Sequence, residues 1–254
     1  MLYSVSHLLY YTAPLISTPH AIFTRQGGVS ESPFSSLNLS FAVGDDPAAV
    51  RKNRDKVKKE LKVQYLASAV QVHGEHIAVV KELTEDREYQ DADALITNQK
   101  GAGLLIQQAD CQAVLLHDPQ REVIAAVHCG WRGSTANIIA KTIRAMQKHF
   151  NTLPENLHAV ISPSLGPCCA EFVHYENELP ASFRQWRIRD NHFDFWKISR
   201  HHLQTAGLPT SHIRATEICT VCNKDFFSFR RTGKKQRGSG VTGRNGSVIA
   251  LETE

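Results

Sequence analysis

A cysteine and a histidine, Cys111 and His128, lie on either side of a predicted β-hairpin. Residues 118–121 have the sequence Asp-Pro-Gln-Arg, which indicates a turn between two short apolar runs. In a symmetric hairpin, the residue numbers of every opposed pair add up to the same value. Cys111 and His128 add up to the same value as Asp118 and Arg121, the two ends of this turn. We therefore expect the two side chains to lie opposite each other, with Cβ atoms about 4.5–5.5 Å apart. At that distance a thiolate and an imidazole could bind one metal ion, or one could activate the other.

His73 is the third candidate, because it lies where a predicted strand runs into a glycine turn in Gln71-Val72-His73-Gly74. Strand ends are where functional sites lie in open α/β sheets. Two histidines and one cysteine are ligands of the types that zinc prefers, and they leave a fourth position for water or substrate. We therefore interpret His73, Cys111 and His128, below called the His-Cys-His set, as a candidate catalytic metal site. The alternative from spacing alone is a buried cysteine with two ordinary histidines.

The residues after His128 could bind an anion. The sequence Gly-Trp-Arg-Gly-Ser at 130–134 leads into a predicted helix, whose first backbone N–H groups are free to bind phosphate. Arg132 could add a forked hydrogen-bond donor. The alternative is an ordinary N-cap by Ser134 beside a surface arginine. Two acids, Asp93 and Asp110, could orient the histidines or hold a proton, although Asp93 could also serve only in a turn at a strand start.

Four further cysteines form two pairs, Cys168-Cys169 and Cys219-Thr220-Val221-Cys222. The second pair has the spacing of half a zinc knuckle, but no other pair has that spacing. We interpret all four as buried thiols. The N-terminus has no pattern of a signal peptide and no stretch approaches the roughly 20 apolar residues of a membrane span. We therefore expect a soluble, cytoplasmic protein, in which disulfides are not expected.

The composition excludes some classes of function. The formal net charge of the 254 residues is only +4, which does not predict a nucleic-acid-binding protein. Basic residues concentrate in residues 51–62. This segment belongs to a helix that is predicted to begin at Asp46-Pro47 and to bury Val50, Val57 and Leu61. We interpret those basic residues as the solvated faces of that helix.

The elements that would position the candidate residues follow an α/β pattern. Apolar runs predict strands at 66–72, 76–80, 92–97, 103–107, 113–117, 123–128, 157–161 and 247–251, and several runs are continuous, as in strands covered on both faces. A second amphipathic helix is predicted to begin near Ser134. These elements predict a mixed α/β, α+β-like fold of one layered domain over residues 1–254, with helices packed on a central mixed sheet.

The chain also resembles a known family through motifs that run along most of its length. They are 23–30 (Phe-Thr-Arg-Gln-Gly-Gly-Val-Ser), 37–39 (Leu-Asn-Leu), 44–47 (Gly-Asp-Asp-Pro) with Asn53-Arg54, 71–74 (Gln-Val-His-Gly), 91–97 (Asp-Ala-Asp-Ala-Leu-Ile-Thr), 109–111 (Ala-Asp-Cys), 126–133 (Ala-Val-His-Cys-Gly-Trp-Arg-Gly), 226–231 (Phe-Phe-Ser-Phe-Arg-Arg) and 242–244 (Thr-Gly-Arg). This ordered set resembles the YfiH family, also called the laccase-domain or multicopper polyphenol oxidase family.

The resemblance implies a layered α/β domain and a zinc-dependent purine nucleoside phosphorylase. Such an enzyme uses phosphate to split adenosine, inosine and S-methyl-5'-thioadenosine, and it also deaminates adenosine. The metal ligands of the family fall on the His-Cys-His set, with zinc ahead of copper as the metal. Purine nucleosides and phosphate are the implied partners, rather than nucleic acid or a membrane. The candidate substrate and phosphate ligands are Arg25, Asn38, Arg132 and Arg231.

The sequence departs from the family pattern at three places. Ser162 replaces the usual glycine before Pro163, Ala170 replaces the tyrosine that usually follows the paired cysteines, and residues 234–241 resemble an insertion. These departures bear on the shape of the substrate pocket rather than on the metal site.

Three other functions are compatible with the same residues. A metal-free cysteine hydrolase would use Cys111 as the nucleophile, His128 as its base and His73 as an orienting group, and could edit peptidoglycan precursors, an activity associated with some relatives. A copper-dependent polyphenol oxidase would need several copper ions and more clustered histidines than the set provides. A non-enzymatic binding module would retain all its properties after Cys111 is changed.

Overall fold

The strands of the computed structural model form two large sheets. The structure describes residues 2–5, 8–235 and 240–252. The strands are β1 (Leu2–Val5), β2 (Leu8–Tyr11), β3 (His20–Phe23), β4 (Tyr65–Ala69), β5 (Ile77–Val79), β6 (Arg87–Tyr89), β7 (Ala94–Thr97), β8 (Ala102–Gln108), β9 (Gln112–Asp118), β10 (Val123–Cys129), β11 (His158–Ile161), β12 (Arg187–Arg189), β13 (His192–Phe193), β14 (Ile213–Ala215) and β15 (Asn245–Ala250). One sheet has the order β1-β2-β3-β15-β8-β4-β6, the other β14-β11-β9-β10-β7-β5, and β12 pairs with β13. Both large sheets contain parallel and antiparallel pairs.

The longer helices pack on the outer faces of these sheets. They are α1 (Pro47–Leu61), α2 (Trp131–Thr135), α3 (Ile138–Phe150), α4 (Tyr175–Glu178), α5 (Phe195–Thr205) and α6 (Phe229–Lys235), with short 3-10 turns at Phe41–Val43, Pro154–Asn156, Ala181–Trp186 and Thr210–His212. Within the described residues, no helix has the length and apolar character needed to cross a membrane.

The side chains of the central strands alternate between two hydrophobic cores. Along β9, Leu115 points into the core between the two sheets, whereas Val114 and Leu116 point toward α3 and α5. A third core joins α1 to the outer face of the seven-stranded sheet. Burial on both faces explains why these strands read as continuous apolar runs. The predicted layered, mixed α/β class is confirmed, and its central layer consists of two sheets packed face to face.

Helix α1 begins as the sequence predicts. The Asp46 side chain accepts a hydrogen bond from the backbone N–H of Ala48 at 2.9 Å, and Val50, Val57 and Leu61 are buried. One of its basic residues departs from the predicted solvated face. Arg54 is only 5% exposed and forms an ion pair with Glu88 at 2.9 Å, because it crosses from α1 to the edge of the seven-stranded sheet.

The predicted second helix is two helices. Asn137 has a left-handed backbone, with φ of 52°, which ends the run of α2 and caps α3 by accepting from the N–H of Ala140. The expectation of a helix that begins near Ser134, or is capped by it, is therefore wrong. Ser134 is buried inside α2, with its hydroxyl 3.3 Å from the Cys129 sulfur.

The register of the β9–β10 hairpin differs by two residues from the symmetric prediction. Asp118 pairs with Val123, so the four loop residues are 119–122, and His128 pairs with Ala113 rather than with Cys111. Continued past the end of β9, this register puts Cys111 opposite Gly130. A shift of two residues keeps each side chain on the same face of the sheet. Cys111 and His128 are therefore diagonal neighbours on one face, and the predicted direct opposition is wrong.

Candidate metal centre and its cavity

The structure brings the His-Cys-His set together at the end of the β9–β10 hairpin. One ligand atom of each of the three residues lies within 4.8 Å of the others. The Cys111 Sγ lies 3.8 Å from His73 Nε2, and the rings of His73 and His128 meet edge to face with centroids 4.9 Å apart. Zinc bonds of about 2.0–2.3 Å in a tetrahedral site place ligand atoms about 3.3–3.8 Å apart. The donor types and their spacing therefore fit one zinc ion.

Asp93 positions the turn that carries His73. Its carboxylate accepts the backbone N–H groups of Val72, His73 and Gly74, at 3.3, 3.0 and 2.7 Å. His73 itself has a left-handed backbone, with φ of 60°, which is uncommon for a residue with a side chain. The three hydrogen bonds to one buried carboxylate hold this conformation and direct the exposed His73 ring toward Cys111.

The same carboxylate orients His128. Asp93 Oδ1 lies 2.7 Å from His128 Nδ1, and the Asp93 carbonyl accepts the backbone N–H of His128 at 2.7 Å. The contact to Nδ1 leaves Nε2 as the ring atom available to a metal ion. Burial disfavours the charged carboxylate, but His128 and the amide donors lower the pKa of Asp93 below its usual value. The other candidate orienting acid, Asp110, instead accepts from Thr220 and from the N–H of Arg230.

The charges of the metal-free set favour a thiolate. Burial opposes ionisation of Cys111, but His128 and His73 outweigh it and lower the pKa of this thiol to about 6. Burial likewise opposes a charge on His128, but Cys111 and Asp93 raise its pKa to about 9. A thiolate is the form of cysteine that binds a metal ion. His128 must lose a proton before it can bind the same ion.

Gly130 makes room for the set. An ideal Cβ at this position would lie 3.0 Å from Cys111 Sγ and 3.1 Å from His73 Cδ2. The backbone of Gly130 is extended, with φ of −77° and ψ of −177°, so a side chain is excluded by space and not by conformation.

The set opens into a cavity of about 900 Å³, which lies in the size range of small-molecule sites. The aromatic side chains that line it are those of Phe41, Trp131, Phe172, Phe195 and Phe229. Its charged or amide side chains include those of Gln71, Glu88, Gln107, Glu171, His174, Arg230 and Arg244. The lining therefore combines flat apolar surfaces with hydrogen-bonding groups, as a ring-containing polar ligand requires.

The four residues predicted to bind substrate or phosphate lie outside this lining. Arg132 is exposed, with its guanidinium 5.0 Å from the centre of the Trp131 ring. Arg25 donates to the carbonyl of Ser35 and stacks on Phe227.

The other two bind backbone groups. Asn38 is buried, donates to the carbonyl of Ser40 and accepts from the N–H of Arg244. Arg231 donates to the carbonyls of Thr220, Val221, Asn223 and Phe226. In this structure these two side chains hold the loops behind the cavity.

Two arginines in the lining were missed as candidate ligands. Arg244 is half-buried near the set; burial lowers the pKa of its guanidinium, whereas Cys111 and Asp110 raise it. Arg230 donates to the carbonyl of Glu171 at 3.0 Å and lies near the Phe172 ring. Both belong to motifs that carry the family resemblance, and that membership was the available signal.

Two of the departures from the family pattern, Ser162 and Ala170, are not themselves among the residues that line the cavity. The Ser162 hydroxyl accepts from the N–H of Ala113 at 2.9 Å, and Ala170 is buried in an aromatic cluster with Phe193 and Phe195. Of the predicted insertion at residues 234–241, positions 236–239 lie outside the described residues.

Of the four cysteines interpreted as buried thiols, Cys219 is buried and Cys169 is partly exposed, and the interpretation is wrong for the other two. Cys168 and Cys222 are exposed, and the sulfur atoms of Cys168, Cys169, Cys219 and Cys222 all lie within 4.8 Å of one another. Below, these residues are called the four-cysteine cluster. The fold brings together two pairs that are about fifty positions apart, which the spacing within each pair does not reveal.

The fold and site define a layered α/β protein in which a candidate metal-binding residue set lines a ligand-sized cavity. A family model described as multi-copper polyphenol oxidoreductase laccase matches residues 19–252. The chain therefore belongs to the laccase-domain family, and the resemblance in its motifs is confirmed.

Curated relatives in this family carry a different activity in their names. A purine nucleoside phosphorylase of Bacteroides thetaiotaomicron is 32% identical over 85% of this chain and 87% of its own. A purine nucleoside phosphorylase of Corynebacterium glutamicum is 34% identical over 86% and 91%.

Solved structures have the same fold. The crystal structure of YlmD from Geobacillus stearothermophilus has a TM-score of 0.86 and 28% identity, with 99% of this chain and 98% of that one covered. A YfiH protein of Bacillus licheniformis has a TM-score of 0.87 and 27% identity, with 99% of each chain covered.

Proposed function

We propose that this protein is a zinc-dependent purine nucleoside phosphorylase that acts on adenosine, inosine and S-methyl-5'-thioadenosine and also deaminates adenosine. The observation that carries the proposal is the position of the His-Cys-His set in the wall of a cavity lined by aromatic rings and by Arg244. The names of the relatives support the same class of reaction.

The metal-binding residues of the proposal are His73, Cys111 and His128. When bound there, zinc supplies Lewis acidity that lowers the pKa of water or polarises an oxygen of the substrate. Asp93 fixes the ring of His128 and the turn of His73, so that all three side chains keep one geometry. Three protein ligands would leave one of the four positions of zinc for water or substrate, as in catalytic rather than structural zinc sites.

The cavity residues provide binding and orientation for the two substrates. The rings of Phe172 and Trp131 offer apolar surfaces for a purine base. Arg244 offers a charged, forked donor to phosphate beside the set, and we propose it as the phosphate ligand ahead of the sequence candidates Arg25, Asn38, Arg132 and Arg231, which lie outside the cavity lining. The departing base needs a proton, and His174 is the lining histidine outside the set.

A metal-free cysteine hydrolase is the second candidate, and one contact favours it. Cys111, His128 and Asp93 form a thiol, imidazole and carboxylate chain, in which Asp93 Oδ1 lies 2.7 Å from His128 Nδ1. This arrangement is that of a nucleophile, its base and an orienting group. Asp93 then has the orienting role that the sequence interpretation gave to His73.

Copper oxidation has less support. A multicopper reaction needs several copper ions close together, and the part of the chain that the structure describes offers two separate candidate groups. One of these groups consists entirely of cysteines. Adding copper to metal-depleted protein, with zinc as the comparison, tests this reaction directly through oxidation of a phenol.

Product analysis tests the proposed function. Purified protein is incubated with adenosine, inosine and S-methyl-5'-thioadenosine, with and without phosphate, and the products are separated by chromatography. We expect free base and ribose 1-phosphate (or its methylthio derivative) only with phosphate, and inosine with ammonia from adenosine without it. Free ribose at saturating phosphate would contradict phosphorolysis.

Removal of the metal separates the two leading candidates, because Cys111→Ala should inactivate either enzyme. The phosphorylase requires zinc at the set, so this variant should lose that zinc and both activities while its fold remains. The hydrolase needs a thiolate free to attack, so full activity of the wild-type protein after removal of metal would support the hydrolase and contradict the zinc-dependent reaction.

A further inference from the structure

The four-cysteine cluster joins two segments that are distant in sequence. Cys168 and Cys169 lie in the turn after Pro167, and Cys219 and Cys222 lie in the loop that follows β14. Backbone hydrogen bonds already pair these segments, since the N–H of Ser164 donates to Ile218 and that of Thr220 donates to Ser164. The sulfur atoms therefore meet at a junction that the fold forms with backbone contacts.

The spacing of the sulfur atoms matches that of a tetrahedral metal site. The Sγ atom of Cys222 lies 3.7 Å from that of Cys168 and 3.7 Å from that of Cys169. In a tetrahedral zinc site with Zn–S bonds of about 2.3 Å, the sulfur atoms are about 3.8 Å apart. A disulfide would need a separation of about 2.0 Å. Two of the six sulfur–sulfur distances thus match those around one tetrahedral ion, and all six are within 4.8 Å.

The backbone around Cys219 favours a thiolate ligand. The N–H of Gly166 lies 3.4 Å from Cys219 Sγ, and the N–H groups of Val221 and Cys222 also hydrogen-bond to this cysteine. Gly166 permits this approach, since a Cβ there would lie 2.8 Å from Cys219 Cβ. Amide donors aimed at a sulfur stabilise its negative charge when it binds a cation.

Two arginines partly offset the charge that four thiolates would carry. Arg189 donates to the carbonyl of Cys168 at 3.0 Å, and Arg230 donates to the carbonyl of Cys169 at 3.4 Å. Cys168 and Cys222 are exposed, so an ion has a route from solvent.

From this geometry we propose that Cys168, Cys169, Cys219 and Cys222 bind one structural zinc ion, separate from the His-Cys-His set. Four cysteines fill the four tetrahedral positions, which leaves none for substrate. The short distances among all four sulfur atoms favour one ion over an iron–sulfur cluster, in which the ligands are divided between separate irons. The proposal does not depend on the function proposed above.

This zinc site would fix one wall of the cavity. The cavity is lined by Leu165, which precedes the first cysteine pair, and by Glu171 and Phe172, which follow it. It is also lined by Phe229 and Arg230, which follow the second pair. An ion between the two pairs holds the two segments at one separation. Loss of the ion is therefore expected to affect substrate binding, measured as KM, more than kcat.

Metal analysis of the full-length chain, purified under reducing conditions without chelator, tests the proposal. The variant Cys111→Ala disables the other site, so we expect it to retain one zinc per chain by mass spectrometry. The triple variant Cys111→Ala, Cys168→Ser, Cys222→Ser should retain none. Cys129, which is buried next to Ser134, provides the matched control: Cys111→Ala with Cys129→Ala should still hold one zinc.

A spectrum provides a measurement that does not depend on whether the triple variant folds. Cobalt bound to Cys111→Ala should show the intense thiolate charge-transfer and tetrahedral bands of a site with four sulfur ligands. An absence of zinc and of this cobalt spectrum in Cys111→Ala would overturn the proposal. Alkylation and mass spectrometry of the protein, freshly purified in reducing buffer, would reveal any disulfide among the four cysteines. Such a disulfide would also overturn the proposal.

Discussion

The Asp93 carboxylate lies 2.7 Å from Nδ1 of His128, and this one carboxylate also accepts the backbone N–H groups of the turn that carries His73. Two of the three proposed metal ligands therefore depend on one buried side chain. Hydrogen bonds of this kind fix the tautomer of a ligating histidine and raise its basicity. Asp93 couples the end of β10 to the loop after β4, although 20 residues separate it from His73.

Replacement of this acid tests the coupling. We expect Asp93→Asn to lower the affinity for zinc at the set by about 10–100-fold, because the amide supplies a weaker acceptor to His128. Competition with a chromophoric chelator measures the affinity. Asp91→Asn is the matched control, since Asp91 is exposed two positions earlier and should leave the affinity unchanged. Equal affinities for all three proteins would refute the orienting role of Asp93.

Gly130→Ala tests the space around the metal ligands. The new methyl group would lie 3.0 Å from Cys111 Sγ, so we expect the zinc affinity of the set to fall. Alanine adopts the extended backbone of Gly130 without strain, so any loss in the free energy of unfolding of the metal-free protein should come only from displacement of the Cys111 and His73 side chains. Gly233→Ala is the control, since nothing lies within 4 Å of its added Cβ. Unchanged affinity in Gly130→Ala would show that the ligands relax freely.

The sequence predicts the central strands well because their burial is symmetric. Strands β8, β9 and β10 are buried at every position, so each one contains a continuous apolar run that can be recognised without knowledge of its partner strand. Strand β12, by contrast, is exposed at all three positions, and its formation depends on pairing with β13. No hydrophobic pattern marks such an edge strand.

The candidate site could be predicted in part for a similar reason. The types of His73, Cys111 and His128 indicate metal chemistry, and a hairpin keeps Cys111 and His128 on one face even when its register shifts by two. Arg244 follows the set by more than 100 residues in the chain, and it reaches the cavity through the pairing of β15 with β8. The four-cysteine cluster likewise depends on tertiary contacts between two loops. Local spacing contains no information about such contacts.

We expect the folded protein to lose stability in acid because of two buried histidines, His117 and His202. Burial, together with His158 and His20, lowers the pKa of His117 to about 4, and burial with His201 lowers that of His202 to about 4. Between pH 6.5 and 4 the unfolded chain binds protons at these rings that the folded protein does not. Stability therefore falls as pH is lowered through this range, by at most about 3 kcal/mol for each histidine.

The variant His117→Leu should make the free energy of unfolding less sensitive to pH. Denaturant titrations at pH 7 and pH 5 measure the difference, which should be smaller than in the wild-type protein. His149→Gln is the control, because His149 is exposed near the end of α3 and its replacement should leave the difference unaltered. If His117→Leu shows the same loss in acid as the wild-type protein, other groups cause that loss.

The two arginines proposed for phosphate differ in their surroundings. Arg244 lines the cavity and donates to the carbonyls of Thr242 and Gly243, which hold its guanidinium near Cys111. Arg132 is exposed, and its guanidinium lies over the Trp131 ring, 5.0 Å from the ring centre. Because a charge-assisted contact is strongest where water is excluded, Arg244 is the better placed of the two to bind phosphate during phosphorolysis.

Paired variants decide between these arginines. A charge-assisted hydrogen bond contributes about 1.5–3 kcal/mol, which corresponds to roughly tenfold to hundredfold in affinity. We expect Arg244→Ala to raise the KM for phosphate by about that factor in adenosine phosphorolysis and Arg132→Ala to leave it unchanged, with the same zinc content in both. Deamination uses water, so Arg244→Ala should reduce it much less. The opposite result would return the phosphate site to the helix that begins at Trp131, and an unaltered KM in both variants would direct the search to Arg25 and Arg231.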